Sequence, residues 1–166
     1  MDYSPIAPNQ LMQNSTTTQC EFRRFNVLTV EDLRNAPPRD CFIYPIMGHG
    51  ELGIVYGPPK QHKSFVMLYL SWCLSHGNEF FGMPCKKSRI LYVAAGEGHS
   101  GLGNRVKAIE KKHGAFNEDN FRAISDTANL RDDKADVSGI TFEAQGHDLI
   151  IIDTMHRVLH GSDSND

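Results

Sequence analysis

Gly57-Pro58-Pro59-Lys60-Gln61-His62-Lys63-Ser64 stands one residue away from the phosphate-binding pattern G-x-x-x-x-G-K-[ST], with His62 in place of the second glycine. A loop of this kind wraps phosphates with backbone N–H groups, reaches them with its Lys and holds Mg²⁺ with its Ser. The flanks must decide whether the near-match carries that chemistry. Before it runs Leu52-Gly53-Ile54-Val55-Tyr56, apolar and rich in β-branched and aromatic residues, which predicts a buried strand. After it, Ser64 to Leu74 is apolar and meets neither Gly nor Pro before Gly77. That predicts a largely buried helix of about three turns. A strand, a loop and a helix in this order aim the helix N-terminus at the bound anion.

The histidine requires an account. The glycine of the pattern lets the backbone adopt a conformation that most residues reach at a cost, and His is among the non-glycine residues enriched at positive φ. A left-handed His62 costs about 1 kcal/mol, which ligand binding offsets. The alternative at this point is an ordinary Pro-containing turn between a strand and a helix.

Downstream, Asp148-Leu149-Ile150-Ile151-Ile152-Asp153-Thr154 is an apolar run ending in an acid. It has the form of a buried parallel strand with a carboxylate at its C-terminal end, where open α/β sheets bind ligands. In nucleotide-hydrolysing proteins an Asp there holds Mg²⁺. Between the two motifs, Arg89 to Ala95 predicts another strand, followed by Gly96-Glu97-Gly98-His99. A Glu between two glycines at a strand end is placed to polarise water as a general base; a surface Glu in a polar turn is the plainer alternative.

Taken in order, these stretches resemble the RecA-like ATPases of the RepA type, AAA-class proteins of plasmids and phages related to hexameric replicative helicases. The resemblance spans about residues 25 to 163 and includes Leu28 to Arg39 ahead of the loop. It implies ATP and Mg²⁺ as cofactors. Gly57, Pro58, Pro59, Lys60, Gln61, His62, Lys63, Ser64 and Phe65 would bind nucleotide, with Ser64 and Asp153 at the metal. Lys63 and Glu97 would be catalytic. Arg105 matches a recurrent arginine to which no role attaches. A homo-oligomeric ring acting on single-stranded DNA is the implied assembly. The expected fold is an α/β P-loop NTPase, RecA-like, with a mostly parallel sheet, flanking helices and truncation after the Asp153 strand. Residues 1–24 are polar and read as a flexible arm, 25–163 as the ATPase domain and 164–166 as a tail.

Rival readings stay open. One is a nucleotide-binding regulatory or interaction module without turnover. Another is a P-loop kinase, although neither an acceptor pocket nor an Arg-rich lid stands out. A third is a collapsed site in which His62 plugs the phosphate position.

Composition narrows the field. The 166 residues suffice for one domain, and 40% hydrophobic with 22% charged residues is ordinary for a globular protein. A net charge of −3 gives no global nucleic-acid signature. Local basic clusters at Lys86–Arg89 and Lys107–Lys112 read first as solvated surface. Four scattered cysteines, Cys20, Cys41, Cys73 and Cys85, suggest neither zinc nor disulfides. With no apolar run of membrane length and no signal-peptide core, a cytoplasmic protein is expected. His156 and His160 fall four apart with no third ligand near them, which argues against a metal pair.

Overall fold

The computed structural model describes residues 27–95 and 98–160. The expected arm (1–24), Glu97 and the tail lie outside them. Two units are separated near Pro37. In the first, α1 (Val30–Arg34) is a short helix begun by a capping box: Asp32 N donates to Thr29 Oγ1 at 3.2 Å, and Thr29 N donates to Asp32 Oδ2 at 2.8 Å.

The second unit holds the other elements. In chain order they are β1 (Cys41–Ile43), β2 (Met47–Gly48), α2 (Lys63–His76), β3 (Ile90–Ala94), α3 (Gly98–His113), β4 (Phe121–Ile124), α4 (Lys134–Glu143), β5 (Leu149–Asp153) and α5 (Met155–His160). Strands β4, β3 and β5 form a parallel sheet in that spatial order, and β1 and β2 form a small antiparallel pair. This is the α/β architecture with a parallel sheet flanked by helices that a P-loop NTPase requires.

Burial explains the order. β3 is the central strand, and all five of its residues are buried, which is why Ile90-Leu-Tyr-Val-Ala reads as a continuous apolar run. Alternate residues face opposite sides. Ile90, Tyr92 and Ala94 join Leu68, Leu74, Leu102, Ile109 and Ile151 in one core cluster beneath α2 and α3. Leu91 and Val93 are equally buried but face away from that cluster. The chain steps from β3 to β4 in one direction and from β4 back across to β5 in the other. Right-handed crossovers then put α3 and α4 on opposite faces. Consistently, the end of α4 closes over Leu91, Arg122 and Ile124, leaving a cavity of about 460 Å³ beside Phe142 and His147. Cover on that face is thin: α4 has no buried residue, and Phe142 is 68% exposed.

One expected element is corrected. Leu52–Tyr56 is not a buried strand. It pairs with none of the described strands, and Leu52 and Tyr56 are 87% and 90% exposed. An apolar, β-branched run makes a strand only where a sheet edge accepts its backbone groups. Leu52–Tyr56 lies outside the three-stranded sheet, in which β4 and β5 pair, among the described residues, only with β3. An anchor lies just ahead of the run. There Glu51 forms an ion pair with Arg39 and accepts from Gly48 N at 3.0 Å. The Arg39 guanidinium holds the Glu51 carboxyl below its ordinary range.

The three described cysteines are free thiols, and burial pushes those of Cys73 and Cys85 up. Among the described residues no His, Cys, Asp or Glu cluster could hold a metal, and no helix is long and apolar enough to cross a membrane.

Candidate nucleotide site

The loop ahead of α2 owes its shape to two left-handed residues. Lys60 has φ 63° and His62 has φ 54° with ψ 24°. His62 thus adopts the conformation that glycine takes without cost in the phosphate-binding pattern, and α2 starts at the next residue. The His62 side chain makes no capping hydrogen bond; it is exposed, and its ring lies 6.2 Å from that of Phe65. Each non-glycine residue held there costs on the order of 1 kcal/mol. Replacing His62 by Gly is therefore expected to stabilise the fold by about 0.5–1 kcal/mol, which raises the melting temperature by about 1–4 °C. Thermal unfolding of His62→Gly beside the parent chain checks this, and an unchanged or lower midpoint would mean that His62 is not strained.

The loop's donors remain available. Among the described residues, no carbonyl or side chain accepts from the N–H groups of Lys60, Gln61, His62, Lys63, Ser64 or Phe65, and Val66 is the first to donate, to His62 O at 3.1 Å. Such free N–H groups, together with the positive end of a 14-residue helix, make an anion site. Lys63 Nζ folds back to donate to the carbonyls of Gly57 (2.9 Å) and Pro58 (2.8 Å), bridging the far side of the loop. The ammonium is thereby held over the loop rather than left to solvent. Pro58 and Pro59 restrict the backbone that supplies those carbonyls.

Asp153 ends β5 and pairs across the sheet with Ala94 of β3. It is 8% exposed, and its Oδ2 accepts a 2.6 Å hydrogen bond from the Tyr92 hydroxyl. The same hydroxyl lies 3.5 Å from the carbonyl of Ser64 in the first turn of α2. The structure thus brings Lys63, Ser64 and Asp153 to one end of the sheet, at the carboxyl ends of β3 and β5. The chemistry of this set suits a magnesium nucleotide: a hydroxyl and a carboxylate for a hard cation, an ammonium and free N–H groups for phosphates.

Sequence reasoning missed Tyr92 and attached no role to Arg105. Tyr92 has no role of its own in the predicted Arg89–Ala95 strand, and only the sheet register shows its hydroxyl beside the carboxylate. The Arg105 guanidinium lies over the Phe65 ring, 5.7 Å from its centroid, joining α3 to the start of α2. His99, at the start of α3, has its Nδ1 3.2 Å from Ser125 Oγ. Glu97 lies outside the described residues.

The AAA domain family matches the chain over residues 17–166. The protein belongs to that family, one of P-loop ATPases. Neither the comparison with curated proteins nor that with solved structures gives a match.

Proposed function

We propose that this chain binds ATP with Mg²⁺ at Gly57–Phe65 and contributes to its hydrolysis as the nucleotide-binding part of a RepA-type, RecA-like motor. The observation that carries the reading is the run of N–H groups from Lys60 to Phe65 that have no acceptor among the described residues, with the Lys63 ammonium held across the loop. Phosphates replace the two carbonyls as partners of Lys63, and the free N–H groups take the remaining oxygens. Ser64 and Asp153 would hold the cation, which would supply charge neutralisation at the phosphates. Glu97, from its position in Gly96-Glu97-Gly98, orients the attacking water. Catalysis of this kind rests on positioning and electrostatics. The RepA-type resemblance supports a ring of head-to-tail copies and single-stranded DNA as the track.

Titration of the purified chain with a fluorescent ATP analogue and Mg²⁺ tests the reading. Saturable binding is expected, with hydrolysis assayed next in the presence and absence of single-stranded DNA. A well-folded chain showing no binding up to ~1 mM nucleotide, the weak limit of specific affinity, would overturn it.

A further inference from the structure

We propose that Tyr92 is a positioning residue of the site: its hydroxyl fixes one oxygen of Asp153 beside the turn of α2 that carries Lys63 and Ser64. The inference rests on the nucleotide-binding reading above and extends it to a residue outside the loop and acid motifs.

The sheet register makes the contact. Tyr92 stands opposite Ile151, so Asp153 is its diagonal neighbour on the same face of the adjacent strand. Diagonal neighbours are within reach of a long aromatic side chain. The ring is fully buried, 6.3 Å from that of Phe121, so the core sets where the hydroxyl sits. The 2.6 Å separation from Oδ2 is that of a charge-assisted O–H···O⁻ bond, and the 3.5 Å to Ser64 O is at the limit of hydrogen bonding. The single proton of the hydroxyl therefore goes to the carboxylate. Among the described residues nothing donates to Oδ1. One oxygen of Asp153 is held by the Tyr92 hydroxyl, and the other would serve a bound cation. Without the hydroxyl, a buried carboxylate would rotate or recruit water, and its free oxygen would lose its aim.

Tyr92→Phe removes the hydroxyl and keeps the ring. Mg²⁺ is titrated into the chain with a fluorescent ATP analogue, and the Mg²⁺ midpoint is compared for wild type, Tyr92→Phe, Asp153→Asn and the double variant. The expected result is a midpoint about 5–10-fold higher in Tyr92→Phe, a larger change than in Mg²⁺-free nucleotide affinity. In the Asp153→Asn background the Tyr92 substitution should have much less effect, because coupled residues are non-additive. A residue that only packs would lower affinity with and without Mg²⁺ alike and act additively, and either outcome would overturn the inference. Lys63→Ala in the same assay separates the two claims: if it binds as wild type does, the nucleotide reading itself fails. If binding depends on Lys63 but Tyr92→Phe keeps the wild-type midpoint, only the role of Tyr92 fails. A second measurement needs no change at Tyr92. In fluorotyrosine-labelled protein, with the other four tyrosines assigned by single Phe substitutions, the remaining ¹⁹F resonance should move as Mg²⁺ is added to the nucleotide complex. A resonance that stays fixed while Mg²⁺ binds would overturn the proposal.

Discussion

Lys63→Ala is expected to weaken binding of a magnesium–ATP analogue by about 10–100-fold and to leave the fold intact. The estimate follows from what the ammonium does in each state. In the free protein it donates to two exposed carbonyls, Gly57 O and Pro58 O, at the surface. Exposed bonds of this sort return little stability, because water replaces them when they are lost. In the nucleotide complex the same ammonium would donate to phosphate oxygens, and charged hydrogen bonds of that kind are worth about 1.5–3 kcal/mol. That range corresponds to the stated loss in affinity at about 1.4 kcal/mol per decade. Calorimetric titration gives the affinity and thermal unfolding the stability. The melting midpoint should move by under about 3 °C. Lys63→Arg keeps the charge on a longer, planar group and should recover binding only in part. Equal affinity in Lys63→Ala and wild type would remove the loop from the site.

The parts of the molecule that were legible in the sequence are those whose pattern has a single physical cause. β3 and β5 are apolar because parallel strands are covered on both faces, and α2 ends at Gly77 because that residue takes a left-handed φ of 77° as a C-terminal cap. Lys63, Ser64 and Asp153 stand out in the sequence because their spacing relative to a loop and a strand end repeats a known division of labour, and the structure places them at one end of the sheet. Three other features were hidden for different reasons. The Leu52–Tyr56 run was misread because hydrophobicity reports fitness for burial, whereas strand formation also depends on a partner edge elsewhere in the fold. The β1–β2 pair is two to three residues a side, too short to show an alternation. The start of α3 at Gly98 is hidden because its first turns contain Gly98, Ser100, Gly101 and Gly103, poor helix formers that mask a helix held by tertiary contacts.

The site shows the same division. An acid at a strand end announces itself, since a carboxylate in an apolar run must have a purpose. A tyrosine in that run does not, because its ring alone justifies burial. The contact between Tyr92 and Asp153 spans two strands that are distant in sequence, and their relative register is a property of the folded sheet. Arg105 and Phe65 likewise meet only once α3 has packed against α2.

Leu68→Ala should cost about 2–5 kcal/mol, and Phe142→Ala under about 0.5 kcal/mol, although Phe is the larger side chain. Both residues lie on helices that cross the parallel sheet, on opposite faces. Leu68 is fully buried in the cluster formed by α2, α3 and the Ile90, Tyr92 and Ala94 side of β3. Removing three carbons there strips apolar burial and leaves a cavity whose walls are the sheet and a second helix, neither able to collapse freely. Phe142 is 68% exposed at the edge of an open cavity, so truncating it removes little buried area. Because total stability of a domain is commonly about 5–15 kcal/mol, Leu68→Ala alone removes a large share of it. Urea unfolding followed by far-UV circular dichroism, with midpoint and slope fitted separately, measures both variants. Comparable losses would show that α4 and the Leu91 face carry as much of the fold as α2 does. A large loss confined to Leu68→Ala would locate stability in the layer that also presents the nucleotide loop. Binding and folding would then share one support, since α2 both fills the core and holds Lys63 and Ser64 at its first turn.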